Sequence, residues 1–367
     1  MEVWQKVLVD PEFLEDVHSE PGCIACHGGT PDTDDKEAAH QGLLPKAGQE
    51  PERACGTCHV GLVRQAREGL HRMLWGYQAV LEARGADFTD PATVRAYQTH
   101  CIGCHADCGD CHVSRPRALE GGLIAGHKVK RVASVFTTCG GCHSARINDE
   151  YKGKHEGIPA DVHWEREGMP CTRCHTLEEY HYGGHGTRYA GAPRPSCTES
   201  GCHDTVRVGD GITQHDETHL EGLDCQVCHA AGPYKSCFNC HVGRDDKGLP
   251  YFTSDPSALT FKIGRNPVKS PERPWNYVLL RHVPTTADLF GYYGEDLLPG
   301  YDNLPTWKYT TPHNTRRITP QNERCNACHG QTALFLTEAD VAPEERAANR
   351  DVIVTEVPEP VEEEVQP

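Results

Sequence analysis

The spacing of hydrophobic residues predicts one long helix near the N-terminus, from Gly61 to Gly85. Apolar residues recur there every three or four positions and so share one helical face, and Gly85 is suited to end the helix. His71 lies on the same helix, where a rigid element would hold it as a metal ligand; the alternative is an ordinary residue of the polar face. The apolar stripe consists of Leu62, Ala66, Leu70, Leu74, Tyr77 and Leu81.

Elsewhere the hydrophobic pattern is interrupted by 36 Gly and 26 Pro, which predicts a mainly α-helical and irregular fold with few short helices and little sheet. Leu, Ile, Val and Phe together make up about 18% of the chain, and the formal net charge is -17. A chain with so few large apolar side chains and so much charge cannot offset its conformational entropy by burying them. Another group must therefore supply the interior.

All 20 cysteines belong to pairs in which His directly follows the second cysteine. Nine pairs have two intervening residues, and the seventh, CTESGCH, has four. The ten motifs are Cys23/Cys26/His27, Cys55/Cys58/His59, Cys101/Cys104/His105, Cys108/Cys111/His112, Cys139/Cys142/His143, Cys171/Cys174/His175, Cys197/Cys202/His203, Cys225/Cys228/His229, Cys237/Cys240/His241 and Cys325/Cys328/His329.

This pattern favours covalently attached haem over zinc or disulfides. In c-type attachment two cysteine sulfurs form thioethers with the porphyrin, and the following histidine becomes an axial ligand of the iron. Zinc would need two cysteine pairs per ion, and its chemistry does not require His directly after each pair. A chance His at any one such position has a probability of roughly 6%, so ten of ten is not coincidence.

The motifs resemble those of multihaem cytochromes c of class III, the low-potential type with two histidine ligands per iron. That family also uses the longer spacing seen from Cys197 to His203. The resemblance implies a chain wrapped around a covalently attached stack of about ten haems c. It further implies that the ten motif histidines named above are the proximal ligands.

Thirteen other histidines are candidates for the second, distal axial position, whereas the chain has only three Met. His/His ligation, which gives lower potentials than His/Met, is therefore expected. Three close pairs, His155/His163, His181/His185 and His215/His219, each count as one position, which leaves ten positions for ten haems. We favour the pair member nearer the following motif. The expected distal set is His18, His40, His71, His100, His127, His163, His185, His219, His282 and His313.

Four consecutive segments are expected along the chain. Residues 1–95 carry two motifs and the predicted helix, and residues 96–241 carry seven motifs. Residues 242–341 are poor in cysteine, wrap the haems and carry the last motif at 325–329. Residues 342–367 are acidic and contain Pro, which predicts a disordered tail.

The chain has no apolar stretch long enough to span a bilayer, and its first residues do not read as an export signal. Haem attachment in the family resembled occurs outside the cytoplasmic membrane, which implies a periplasmic or extracellular protein. The acidic balance disfavours nucleic acid as a partner and favours docking to redox proteins or to another electron acceptor in the same compartment.

Three functions remain open from the sequence. The first is an electron carrier that relays electrons between redox partners, as in anaerobic respiration, and performs no bond chemistry. The second is an oxidoreductase in which one haem stays open and reduces a nitrogen or sulfur oxyanion. The third is a subunit that associates with its own copies into a polymeric cytochrome wire.

Overall fold

The computed structural model describes residues 9–116, 120–124, 126–134, 138–182, 195–198, 201–232 and 242–362. The motif at Cys237, Cys240 and His241 and the expected ligand His185 lie outside these residues. Short helices dominate, and they comprise Cys23–His27, Lys36–Ala39, Pro51–Ala54, Val60–Arg67, Leu70–Met73, Trp75–Ala83, Pro91–His100, Cys108–His112, Gly140–Cys142, Asp149–Tyr151, Val162–Glu167, Leu177–His181, Glu217–Gly222, Cys225–His229 and Arg346–Asn349.

Tighter or wider helical turns connect these helices. A π-helical turn spans Ser144–Asn148. The 3₁₀ turns are Pro11–Glu15, Val17–Ser19, Ala47–Gln49, Ile102–Cys104, Cys171–Arg173, Cys325–Ala327, Thr332–Leu334, Glu338–Asp340 and Pro343–Glu345. Within the described ranges, no helix is long and apolar enough to cross a membrane.

The helix expected from Gly61 to Gly85 is divided into three. It breaks around Gly69 and again at Leu74, whose φ of 54° is left-handed and ends the helix Leu70–Met73. Leucine favours helices, but Leu74 is buried in this left-handed conformation. Tertiary packing therefore outweighs its helical preference at this point. Gly85, at φ 86°, follows the last of the three helices as expected.

A small antiparallel sheet forms in the cysteine-poor region. Strand β1 (Phe261–Arg265) pairs with β2 (Tyr277–His282), and β2 pairs with β3 (Trp307–Tyr309). Strands β1 and β2 contribute apolar residues to one core together with the helix Cys225–His229. Buried members of this core are Val227, Ala230, Ile263, Leu279, Phe335 and Val354.

The chain forms two compact units, each assembled from separated stretches rather than from the consecutive segments expected from the sequence. The first comprises Met1–Gln78, Tyr97–Ser144 and Cys171–Pro193, and the second comprises Ala79–Ala96, Ala145–Pro170 and Arg194–Pro367. The first unit carries six of the ten motifs and the second carries the other four.

The two units differ in their hydrophobic interiors. Within the described part of the first unit, the buried hydrophobic side chains are Val63, Leu74 and Tyr97. The second unit contains the sheet and, in the described ranges, all of the other buried hydrophobic residues. The unit with more attachment motifs therefore has the smaller apolar interior. This agrees with the shortage of large apolar side chains in the composition.

The expectation of a disordered tail from residue 342 is wrong for residues 342–362. Val352 and Val354 are almost fully buried, and their backbones bond to the sheet region: Val352 accepts from Arg265 N at 2.9 Å and Val354 donates to Leu336 O at 2.8 Å. Lys262 of β1 also forms an ion pair with Asp340 at 2.7 Å, just before the tail. Hydrophobic burial thus outweighs the acidic composition of this segment.

Candidate haem-binding sites

Seven attachment motifs contain a short α-helix or 3₁₀ turn in the described ranges, and the motif at Cys55 is a hydrogen-bonded turn. Cys23–His27, Cys108–His112 and Cys225–His229 are five-residue helices that begin at the first cysteine and end at the histidine. Cysteines three residues apart on a helical turn lie on the same face, so both sulfurs can reach one planar group. Asp107 and Asp110 form a reciprocal capping box at the start of the second of these helices.

The attachment cysteines differ in their exposure to solvent. Five of those in the described ranges are exposed, and the others are half-buried. The exposed ones are Cys58, Cys174 and Cys202, each the second cysteine of its motif, and the first cysteines Cys23 and Cys197. These five side chains lie at the protein surface rather than in a pocket of the polypeptide. Burial therefore does not support the expectation that they bind haem, which depends at these positions on the motif spacing and on the histidine that follows.

Seven motif histidines each face one histidine from outside the motifs, among the residues that the structure describes. The centroids of the paired rings lie 5.9–6.5 Å apart. The pairs are His59 with His18, His27 with His127, His143 with His71, His112 with His181, His203 with His163, His229 with His215, and His329 with His219.

This separation fits two imidazoles that bind opposite sides of one metal ion. An imidazole nitrogen lies about 2.0–2.1 Å from a bound metal ion, which places the centroids of two opposed rings about 6 Å apart. Direct stacking of aromatic rings covers a broader range, about 4.5–7 Å. All seven pairs fall within the narrow interval that axial ligation requires.

Hydrogen bonds at Nδ1 fix the orientation of many of these rings. Nδ1 of His27 donates to the carbonyl oxygen of Leu44 at 2.8 Å, and that of His112 donates to Lys130 O at 2.6 Å. The same contact joins His229 to Arg316 O, His329 to Glu359 O, His71 to Tyr180 O and His181 to Leu177 O, at 2.9–3.2 Å. A carbonyl oxygen only accepts, so Nδ1 carries the hydrogen and Nε2 of the neutral ring keeps its lone pair for a metal.

Aspartates hold four of the other rings in the same way. In three cases the aspartate is the N-cap of a helical turn and also accepts from the histidine's own backbone N: Asp16 with His18, Asp161 with His163 and Asp216 with His219. Their carboxylate–Nδ1 distances are 2.6, 2.8 and 2.9 Å. In the fourth case Asp210 accepts from Nδ1 of His215 at 2.7 Å.

A carboxylate partner makes an imidazole a stronger donor to a metal. The hydrogen bond to Asp161 raises the pKa of His163, although burial opposes this rise. At another pair, the pKa of Asp16 is lowered by the hydrogen bonds from His18. The carboxylate therefore stays ionised beside the ring.

Cysteines of different motifs lie next to one another. The thiols of Cys55 and Cys108 interact, and so do those of Cys104 and Cys142, Cys139 and Cys171, and Cys197 and Cys225. Each interaction raises the pKa of one partner, and burial raises it further. No cysteine in the described ranges forms a disulfide. Groups attached to these sulfurs would lie close together. Motifs that are neighbours in space are not always consecutive in the sequence: the second contacts the fourth, and the third contacts the fifth.

Five of the ten expected distal histidines face a motif histidine: His18, His71, His127, His163 and His219. Two more that we did not select do so as well. His181 faces His112, and His215 faces His229, so both members of the pair His215/His219 face motif histidines. Two of these facing histidines share a sequence pattern, because Asp-Val-His occurs at 16–18 and again at 161–163.

His282 has a different environment from the paired histidines. Its Nε2 contacts Glu345 at 3.0 Å, its Nδ1 accepts from Ala258 N at 3.1 Å, and its ring stacks on Trp307 at 5.1 Å. Both ring nitrogens are engaged by protein, so we do not retain His282 as a ligand. His40 is exposed, with Nδ1 bonded to Lys36 O at 2.6 Å.

The expected ligands His100 and His313 are not among the seven ring pairs described above. His100 ends the helix Pro91–His100, and burial lowers its pKa. His313 donates its backbone N–H to Glu150 at 3.2 Å. His155, the member of the pair His155/His163 that we did not select, is buried. The motif residue His175 bonds through Nδ1 to Glu179 at 2.8 Å.

In the described ranges, no cluster of three or more His, Cys, Asp or Glu side chains has the arrangement of a metal site. Comparisons with protein-family models, with curated proteins and with solved structures give no match. The motifs and the geometry of the histidine pairs are therefore the features of this chain that indicate a function.

Proposed function

We propose that this chain is a multihaem c-type cytochrome that relays electrons through haems with two histidine ligands. The carrying observation is the set of seven histidine pairs, each joining a motif histidine to a non-motif histidine at 5.9–6.5 Å. If these contacts were chance packing, we would not expect every pair to contain a single histidine from a C-x-x-C-H or C-x4-C-H motif.

The residues present fit the haem groups in three further respects. The motif helices place both cysteine sulfurs on one side, the Nδ1 hydrogen bonds leave Nε2 for the iron, and the first unit has little apolar interior of its own. Haem iron held by two histidines supplies reversible one-electron chemistry.

The chain's own residues would determine how this chemistry is used. Histidines on both axial positions exclude other ligands from the iron, which favours electron transfer over bond chemistry. Aspartates 16, 161, 210 and 216 would favour the oxidised state at their sites, because a negative charge beside the ligand stabilises the more positive iron. The thiol contacts Cys55–Cys108, Cys139–Cys171 and Cys197–Cys225 support short electron steps between these motifs.

Covalent attachment of this kind implies assembly in a periplasmic or extracellular compartment, where the chain would exchange electrons with other redox proteins or with its own copies. Intact mass measurement of the purified protein tests the proposal first. We expect an increase that corresponds to ten haems over the polypeptide mass. Electron paramagnetic resonance should then show mainly low-spin ferric iron; a protein without bound haem, or one with zinc at the cysteines, would contradict the proposal.

A further inference from the structure

The short helix Leu177–His181 bonds to histidines that belong to different attachment sites. It begins two residues after His175 of the sixth motif. The carboxylate of Glu179 accepts from Nδ1 of His175 at 2.8 Å. The carbonyl oxygen of the next residue, Tyr180, accepts from Nδ1 of His71 at 3.2 Å, although His71 is 109 positions away in the chain. One turn of helix therefore orients two rings from distant parts of the sequence.

His71 and the last residue of this helix, His181, face the histidines of two further motifs. The ring of His71 lies 6.2 Å from that of His143 in the fifth motif. The ring of His181 lies 6.3 Å from that of His112 in the fourth motif, and the two planes differ by only 16°. Residues 179–181 therefore hold or provide a ligand at the sixth, fifth and fourth motifs in turn.

The attachment cysteines of the same three motifs are also neighbours. The thiol of Cys139 in the fifth motif interacts with that of Cys171 in the sixth. The thiol of Cys111 in the fourth motif interacts electrostatically with both Cys139 and Cys142 of the fifth. These contacts involve different atoms from the histidine contacts, and they bring together the same three motifs.

The side chain of Tyr180 lies between the fifth and sixth motifs. Its hydroxyl oxygen is buried and interacts electrostatically with Cys139 of the fifth motif and with Cys171 and Cys174 of the sixth. The centroid of its ring is 6.3 Å from that of His175. Tyr180 thus shields the attachment cysteines of two motifs from water.

The segment that precedes His71 packs closely against this helix. The backbone N–H of Leu70 donates to Tyr182 O at 2.9 Å. A Cβ atom at Gly69 would lie 2.5 Å from the carbonyl oxygen of His181, which is closer than van der Waals contact permits. The absence of a side chain at Gly69 therefore allows the ligands His71 and His181 to be held by adjoining backbone.

We propose that the helix Leu177–His181 is a three-way junction of the relay, whose last three residues hold or provide an axial ligand at the sixth, fifth and fourth motifs respectively. The inference rests on the proposed haem attachment, and it adds which three sites adjoin and which residues orient their ligands. A relay with three adjoining sites would branch here rather than run as a single line.

The first test changes the charge beside the sixth motif. Glu179→Gln keeps an acceptor near His175 but removes a negative charge, which stabilises oxidised iron, so the potential of one haem should rise. Haem number and spin states should stay as in wild type. Glu178→Gln removes the same charge from an exposed position of the same helix and is the matched control. Equal shifts of the two variants in a spectroelectrochemical titration would overturn the role of Glu179.

Motif deletions assign the shifted haem. In the variant Cys171→Ala/Cys174→Ala, which lacks the sixth motif, adding Glu179→Gln should leave the remaining potentials nearly unchanged. In the variant Cys23→Ala/Cys26→Ala, which lacks the first motif, Glu179→Gln should still raise one potential. A shift that persists without the sixth motif would place the effect elsewhere and overturn the assignment.

Replacement of Tyr180 tests its position between two motifs. Tyr180→Ala should lower the potentials of two haems, because water would reach both motifs and would stabilise the more highly charged oxidised iron. Tyr180→Phe keeps the ring and should restore both potentials. A change at one haem only, or the same change in both variants, would contradict this position.

The close approach at Gly69 provides the last test. Gly69→Ala should displace both His71 and His181, so two low-spin signals should change in electron paramagnetic resonance. Gly61→Ala is the control, since a Cβ atom at Gly61 would meet no atom within 4 Å. Unchanged spectra of Gly69→Ala, with haem attachment established by intact mass, would overturn the junction and leave the relay intact. Wild-type protein without haem would instead overturn the relay itself.

Discussion

His215 and His219 lie four residues apart in the chain, yet their rings face two different motif histidines, His229 and His329. The helix Glu217–Gly222 begins between them, with Asp216 as its N-cap, so that His219 lies on the helix and His215 precedes it. If the motifs carry haem, these two nearby histidines would bind two different irons, and counting close pairs once would underestimate the available ligands.

Substitution of these two histidines separates their roles. His215→Ala and His219→Ala should each convert one low-spin haem into a high-spin one, and the double variant should convert two, because each ring faces its own partner. Electron paramagnetic resonance of the ferric proteins measures the number. If the double variant gave only one high-spin haem, the two histidines would be alternatives for a single iron.

The aspartate that bonds His215 should affect a reduction potential. Asp210→Asn removes a negative charge 2.7 Å from Nδ1 of His215, which destabilises the oxidised iron and raises the potential of one haem by roughly 50 mV. Asp351→Asn is the control, since that side chain is 87% exposed and pairs with Arg350. A spectroelectrochemical titration would show the shift; unchanged potentials in Asp210→Asn would argue against this ligand assignment.

His282 should affect stability rather than haem ligation. His282→Asn removes the contacts with Glu345 and Trp307, and we expect unfolding to become easier by about 1–3 kcal/mol. The number of low-spin haems should stay the same as in wild type. Denaturant unfolding and electron paramagnetic resonance together decide the matter, since a new high-spin haem would restore His282 to the ligand set.

The C-terminal segment should contribute to folding. Val352 is fully buried, so Val352→Ala should lower the free energy of unfolding by about 1–3 kcal/mol through lost burial and a residual cavity. Val361→Ala is the matched control because that side chain is 39% exposed. Equal stability of the two variants would mean that the segment does not pack as described.

The ion pair between Lys262 and Asp340 should give a stability contribution that depends on pH. Burial raises the pKa of Asp340, but the hydrogen bonds from Lys262 and Thr337 outweigh it and leave the pKa below its usual value. A depressed carboxyl pKa stabilises the fold above about pH 4, and this contribution is lost as the pH falls through the folded-state pKa. Asp340→Asn should therefore be less stable than wild type at pH 7, and the difference should shrink toward about pH 2. Denaturant unfolding at several pH values measures it; a constant difference would contradict the assignment.

The sequence predicts the chemistry of the attachment motifs and the shortage of apolar core, because both depend on residue types and local spacing. It does not predict which distal histidine meets which motif: His127 reaches His27 from a distant part of the chain, through tertiary structure. Proximity to the following motif is a poor guide, since His163 faces His203 and His219 faces His329.

Two local expectations fail for different physical reasons. A regular apolar stripe predicts one helix around Leu74, but burial of Leu74 in a left-handed conformation divides it. The acidic composition of the tail predicts disorder. Composition alone does not reveal that Val352 and Val354 alternate and lie on one buried side. Alternating apolar residues in a charged segment are the signal that identifies such a packed strand-like stretch.

The histidine pairs have a consequence for the unfolded chain if each holds one iron. Every iron would then act as a crosslink between two chain segments, in addition to the thioethers on one side of it. A crosslink restricts an unfolded chain more strongly when it closes a longer loop. The link between His219 and His329 should accordingly limit the entropy of the unfolded chain more than the link between the nearby His215 and His229, and the ligands themselves would act as staples of the fold.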